Sequence, residues 1–310
     1  MTMTWAEIVK QGLPDDVKET SAVPSVAIVE EPLPVFDENA AIHVDAGINL
    51  THRSFKDKVD QVLRDAAANG CRRAIVIGSS VRDSLRAVAL VKEYNAKFPW
   101  LKLYCTVGVH PHEAERAQRD LYWVSRLDDL ITANRDVVIA VGECGLDYNR
   151  MFSPKKTQVS VFGKQIKLAV KHGLPLYLHE RDARDDFLLA LDGTLQLRGV
   201  VHCFSGDADT AERYLAKGFY LGITGIICDV MRNADLLAAL KTIVPVDRLL
   251  IETDAPYLVP KDLGNRPAIN SSWYIPHITD HVATCMGMKT NDMAAQVWRN
   301  LQTLFGEMFV

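Results

Sequence analysis

Four residues in this 310-residue chain stand where apolar, strand-like runs end, and all four carry side chains that ligate metals. VVIAVG leads into Glu143, LPLYL into His179, GVV into His202 and LLIET into Asp254. Two imidazoles with two carboxylates suit a borderline divalent cation such as Zn²⁺ or Mn²⁺. Mg²⁺ is tolerated where carboxylate, water and phosphate oxygens complete its shell. The mixture is that of a catalytic centre, because a structural zinc is ordinarily closed by four protein ligands, often cysteine, whereas this set leaves positions for water and substrate. A lone histidine at a strand end is usually a half-buried, hydrogen-bonded residue; four ligand residues in one register point to a shared site.

The elements that must hold these residues follow from the hydrophobic pattern. From Ala41 onward, short apolar runs alternate with amphipathic stretches of helical length, as βα units around a parallel sheet require. The strands expected are 41–47, 73–78, 103–108, 137–142, 174–179, 199–203, 219–224 and 248–253, with helices over 55–69, 82–97, 120–134, 156–172, 182–191, 208–217 and 234–241 between them. Eight such units predict a (β/α)₈ TIM barrel, in which the C-terminal strand ends ring one mouth and the four ligands converge. A doubly wound sheet is the alternative, but no Gly-rich phosphate loop of either common pattern occurs. Helices over 275–287 and 290–305 would cover the last strand.

Composition narrows the class further. The formal net charge is −4, and residues 1–40 hold eight acidic side chains against two basic ones, leaving 33 basic and 31 acidic in the remainder. A near-neutral body argues against broad wrapping of nucleic acid, which depends on many cations releasing counterions from phosphate. Any anion site is then a local pocket. Residues 1–40, with Pro14, Pro24, Pro32 and Pro34, read as a flexible acidic extension in which Trp5, Ile8 and Val9 share one helical face; residues 41–310 read as a single barrel domain. The six cysteines are scattered without a C-x-x-C pair, and neither a signal sequence nor a run of 18 apolar residues occurs. A cytoplasmic protein, or a nuclear one in a eukaryote, with no membrane partner is expected.

The segments GVHPH (108–112), GECGLDYNR (142–150), LHERDA (178–183), HCFSG (202–206), YLGITG (220–225) and ETDAPYLVP (252–260) closely resemble the signature stretches of TatD-related deoxyribonucleases. The resemblance runs from about Asp45 to the C-terminus. It implies an amidohydrolase-type barrel with Mg²⁺-dependent DNase activity, chiefly 3′-to-5′ exonuclease activity. The near-neutral body favours single-stranded or frayed ends over intact duplex, and RNA is a second candidate substrate. The resemblance also implies that Glu143, His179, His202 and Asp254 bind one or two divalent cations, with Mn²⁺ or Zn²⁺ as alternatives to Mg²⁺. On that basis Glu143 bridges or anchors the metal, and Asp254 orients or deprotonates the attacking water; these two form the expected catalytic pair. His110, His112, Arg181 and Tyr257 are the candidate substrate contacts, with Trp273 as a further stacking residue. A capped turn around Pro111 would equally explain His110 and His112, and a salt bridge to Asp182 or Asp185 would explain Arg181.

Two departures from the family pattern stand out. His43 and Asp45 mimic a metal-binding H-x-H pair, yet the resemblance places that pair at Gly47 and Asn49, which predicts one tight metal site and one weaker one. The loop NRPAINSSWYIPH lacks the glutamate that many relatives carry. Cys144, beside Glu143, is read as packing rather than as a nucleophile. The competing readings are an amide or lactone hydrolase on the same barrel, disfavoured because Glu143 stands where such enzymes use a carboxylated lysine, and a non-catalytic nucleic-acid-binding barrel, disfavoured by the complete ligand set.

Overall fold

The computed structural model describes residues 42–310, apart from 195–196, 266, 307–308 and 310. The expected extension over residues 1–40, with its Trp5 segment, lies outside the described residues. Eight strands form one parallel sheet in sequential order: β1 (His43–Ile48), β2 (Cys71–Val76), β3 (Lys102–Val107), β4 (Val138–Asp147), β5 (Leu176–Arg181), β6 (Gly199–Val201), β7 (Tyr220–Ile223) and β8 (Leu249–Ile251). The sheet closes on itself through a parallel bridge between Ile48 and Ala255, flanked by hydrogen bonds from Asn49 N to Ala255 O at 2.8 Å and from Asp254 N to Gly47 O at 2.9 Å. Near-continuous apolar runs form these strands because each is covered on both faces. Residues such as Ile75, Leu103, Ile139, Leu176 and Leu250 are fully buried.

The helices between them are α1 (Val59–Ala68), α2 (Val81–Lys97), α3 (Ala114–Arg119), α4 (Trp123–Ala133), α5 (Lys155–His172), α6 (Arg184–Leu191), α7 (Ala208–Ala216) and α8 (Ala234–Thr242), followed by α9 (Ile275–Cys285) and α10 (Thr290–Phe305). Local chemistry sets several ends. Ser80 accepts from Asp83 N to cap α2, Asp207 accepts from Thr210 N to cap α7, and Gly173 ends α5 in the left-handed region at φ 61°. No helix among the described residues is long and apolar enough to cross a membrane.

The TIM barrel expected from the sequence is therefore the fold, with two local corrections. The short helix α3 was not legible, since six residues after a histidine turn carry too little periodicity. β4 does not stop at Gly142 but continues to Asp147, and its register against β5 shifts between Gly142 and Cys144. Glu143 is the extra residue of that irregularity. A bulge re-aims the side chain it carries, which turns Glu143 into the mouth while the strand runs on beneath it.

Candidate active site at the barrel mouth

Glu143 is the hub. Its Oε1 lies 2.7 Å from His202 Nε2, 3.0 Å from His179 Nδ1 and 3.3 Å from His110 Nε2, and the two ring atoms of His179 and His202 are 3.3 Å apart. Four strands deliver these groups: β4 gives Glu143, the end of β5 gives His179, and the residues just beyond β3 and β6 give His110 and His202. Glu143 and His202 are 7 % exposed, and the His110 side chain 12 %. The cluster is thus almost dry, which strengthens its internal electrostatics.

Each histidine is held from behind. His202 Nδ1 faces Glu252 Oε1 at 3.5 Å, and that carboxylate also accepts from Cys203 N at 2.5 Å and from the Tyr177 hydroxyl through a very short contact. His110 Nδ1 accepts from His112 N at 3.1 Å, capping the turn at Pro111 and aiming Nε2 at Glu143. His112 Nε2 meets Asp147 Oδ2 at 2.7 Å, and the other oxygen of Asp147 accepts from Asn149 N and Arg150 N at 2.9 Å each. His179 Nε2 points the same way but sits 3.4 Å from Asp147 Oδ2, and this buried nitrogen makes no hydrogen bond among the described residues.

Charge is balanced within this network. Burial alone would raise Glu143, but His202 and His110 hold its carboxyl well below the usual range. Burial would lower His202, yet Glu143 and Glu252 outweigh it and hold that imidazole well above its ordinary value. Burial dominates at His110, pushing it down to about 4. A proton on His202 therefore stands in for positive charge that the carboxylates demand.

These residues fit a divalent cation. Around a tetrahedral ion with bonds of about 2.0 Å, neighbouring ligand atoms lie about 3.3 Å apart. The separations around Glu143 Oε1, from 2.7 to 3.3 Å, need only a few tenths of an ångström of expansion. His110, Glu143 and His179 form a ready metal-ligand group by this geometry. His110 thus stands among the possible ligands rather than apart from them.

Asp254 occupies the other side of the mouth. Its Oδ1 accepts from Asn49 Nδ2 at 2.9 Å, its backbone is left-handed at φ 52°, and burial pushes its carboxyl up to about 7. Gly47 leaves no room for a side chain: a Cβ there would lie 2.1 Å from Tyr177 Oη and 2.6 Å from Glu252 Oε2. His43 and Asp45 lie below, in the wall. Asp45 accepts from Thr253 N, Thr253 Oγ1, Ser272 Oγ and Gly47 N, while His43 is buried beside Thr279. Cys144 is fully buried, with burial holding its thiol protonated.

The peripheral candidates are placed differently. Arg181 is exposed at the end of β5 and has no ion pair among the described residues; Asp185 pairs with Arg184 and Asp182 accepts from Asn149 instead. Tyr257 is 50 % exposed and sits edge-on to His52 at 5.5 Å. Trp273 belongs to a turn whose carbonyl accepts from Asn69 Nδ2 at 2.6 Å, which places that turn beside the end of α1 rather than at the mouth. Sequence reasoning missed Glu252, Asp147 and Tyr177. Glu252 was findable, since it precedes Asp254 by two residues and alternation puts both on one face.

Comparison with known proteins shows the family and the fold. The family described as TatD related DNase matches residues 44–306. The 3′-5′ ssDNA/RNA exonuclease TatD of Salmonella typhimurium is 36 % identical over 271 residues, covering 86 % of this chain and 99 % of that protein. Its counterpart from Cronobacter turicensis is 41 % identical over 265 residues, covering 84 % and 97 %. Among solved structures, a TatD family hydrolase from Entamoeba histolytica superposes with a TM-score of 0.78 at 27 % identity, covering 86 % of this chain and 98 % of that one. A TatD homologue from Escherichia coli gives 0.75 at 26 % with the same coverage.

Proposed function

Given that the chain belongs to the TatD-related deoxyribonuclease family, we propose that it is a divalent-metal-dependent exonuclease that trims single-stranded or frayed DNA ends from the 3′ side, with RNA as a second substrate. The observation that supports this reading best is the convergence of three imidazoles on the Glu143 carboxylate in a nearly dry mouth. When bound, a cation there polarises the scissile phosphate and makes water acidic enough to attack near neutral pH.

The chain's own groups supply the rest. Glu143, His179 and His202 would hold the tight cation; Mg²⁺ is the expected ion for activity, with Mn²⁺ or Zn²⁺ able to fill the site. Asp254 takes the proton of the attacking water, and Asn49 fixes the rotamer in which it does so. Asp254 would offer a carboxylate to a second cation, and with no imidazole on β1 that site would be weak unless phosphate oxygens were also present. Exposed Arg181 offers a fork to the phosphate backbone, and Tyr257 a face on which a terminal base stacks. A cytoplasmic location suits such an enzyme.

Incubation of the full chain with 3′- and 5′-end-labelled single-stranded DNA in Mg²⁺ tests the reading. Stepwise shortening from the 3′ end, abolished by EDTA, is expected. Digestion insensitive to EDTA, or no digestion of DNA or RNA alongside turnover of an amide or lactone, would replace it.

A further inference from the structure

A second constellation of ligands lies outside the mouth and plays no part in the chemistry above. Cys228 ends the 3-10 turn Gly225–Cys228 that follows β7, Asp262 lies in the long segment after β8, and His277 and His281 project one helical turn apart from α9. One ligand atom from each of the four falls within 4.8 Å of the others. His277 Nε2 is 3.0 Å and His281 Nε2 2.8 Å from the Asp262 carboxylate. The two rings stand 4.8 Å apart between centroids. We propose that Cys228, Asp262, His277 and His281 form a structural zinc site that staples the β7 turn, the segment after β8 and α9 together.

The chemistry selects the ion. One thiolate, two imidazoles and one carboxylate make a complete four-ligand set, and the soft sulfur favours Zn²⁺ over the hard cations that suit the mouth. Histidines at i and i+4 share one helix face and present two nitrogens to a single ion, the arrangement that helix-borne zinc pairs use. The carboxylate now bridges both imidazoles by hydrogen bonds. Zinc with bonds of about 2.0 Å needs ligands about 3.3 Å apart, so uptake widens these contacts by a few tenths of an ångström. The side chains that must move are about one-third exposed (33 % for His277, 30 % for His281, 32 % for Asp262), so the shift meets little packing resistance.

Cys228 separates this arrangement from an ordinary His–Asp–His surface network. It is the buried member of the four, at 6 % exposure, packed at the edge of the hydrophobic cluster with its sulfur within 4.8 Å of the ligand atoms of Asp262, His277 and His281. Zinc takes the thiol as its thiolate, so binding expels one proton from sulfur and leaves Asp262 ionised. The staple has a mechanical reason to exist. Between β8 and α9 the chain runs more than twenty residues with, among the described residues, a single 3-10 turn, Ser272–Tyr274, and the start of that segment carries Asp254 and Tyr257 at the mouth. Lys261 and Asp229, the neighbours of Asp262 and Cys228, pair with each other and form a second rung across the same gap.

Cobalt distinguishes this site from the mouth, because a thiolate ligand gives an intense sulfur-to-cobalt charge-transfer band that nitrogen and oxygen ligands do not. Metal-stripped full chain titrated with Co²⁺ should develop that band within two equivalents, the mouth taking the other ion, and added Zn²⁺ should erase it. Cys228→Ser and His281→Ala should each abolish the band, while Glu143→Ala, which disables the mouth, should leave it intact. Circular dichroism on each variant confirms that it is folded, and His281→Ala carries the test if Cys228→Ser is not. Absence of the band in the wild-type chain overturns the proposal. So does a band that survives in a folded Cys228→Ser or His281→Ala variant, or one lost with Glu143→Ala.

Discussion

The two sides of the barrel mouth solve opposite problems. On the β3–β6 side, Glu143 gathers three imidazoles around one oxygen, and His179 Nε2 is buried beside Asp147 without a hydrogen bond among the described residues. On the β8–β1 side, polar groups are saturated from within. Asp45 accepts four hydrogen bonds, Asn49 serves Asp254, and Tyr177 with Glu252 fills the space above Gly47. Buried polar groups that satisfy one another rigidify a wall, whereas a buried carboxylate crowded by histidines keeps an affinity for added positive charge. In the proposed function the resident cation accordingly belongs to the first side, and the second is a scaffold that holds one carboxylate, Asp254.

Removing the hub should have the largest effect. Glu143→Ala is expected to lose the tight cation and at least roughly a hundredfold in rate, since losing a ligand should cost no less than the 10–100-fold that changes behind a ligand already cost. Metal content by mass spectrometry and single-turnover digestion of labelled DNA check both halves. Asp254→Asn should split them. Its rate should fall roughly a hundredfold, as removal of a positioned proton acceptor does, while the tight cation stays. An Asp254→Asn protein with full activity would move the base elsewhere.

Next come changes to the scaffold side. Gly47→Ala forces a methyl group against Tyr177 Oη and Glu252 Oε2, and should destabilise the chain by roughly 3 kcal/mol in urea unfolding, at the upper end of overpacking costs. Because Glu252 also holds His202, tight-metal affinity should weaken with it. Undiminished affinity would show that the two sides are independent.

The smallest effect is expected farthest from the mouth. Burial pushes His43 down to about 4, so between pH 6.5 and 4 the unfolded chain binds a proton that the folded chain refuses. Stability is then lost as pH falls through that window, by about 1 kcal/mol between pH 7 and 5.5. His43→Gln should flatten this slope, measured as the urea midpoint at the two pH values. Asp45 works in the opposite sense. Burial raises it to about 6, so the folded chain holds the extra proton and stability from this group falls as pH rises from about 4 to 6.

Much of this was legible in the residues. Every strand could be placed because buried parallel strands read as apolar runs, and Glu143, His179, His202 and Asp254 could be named because each follows such a run. What escaped was whatever depends on a non-periodic backbone or on long-range packing. The irregularity that carries Glu143 into the mouth, and the continuation of β4 to Asp147, leave no mark in hydrophobic alternation. Tyr177 sits inside an apolar run, where a buried aromatic reads as core until its hydroxyl is seen on Glu252. The ring of ligands at Cys228, Asp262, His277 and His281 draws on three separate elements, two of which join no apolar run to a ligand. The absence of an imidazole pair at Gly47 and Asn49 was visible in sequence; that Tyr177 occupies the space was not.

The central claim, that one side of the mouth holds a cation on its own while the other needs substrate, is tested most directly by calorimetric titration of the metal-stripped chain with Mn²⁺. Mn²⁺ is the suitable probe because a thiolate-containing site disfavours it. One tight equivalent is expected in the free protein, lost in Glu143→Ala and kept in Asp254→Asn, with a second equivalent appearing only when a nucleotide is present. Two equally tight ions in the free chain, or a tight ion that survives Glu143→Ala, would contradict the account.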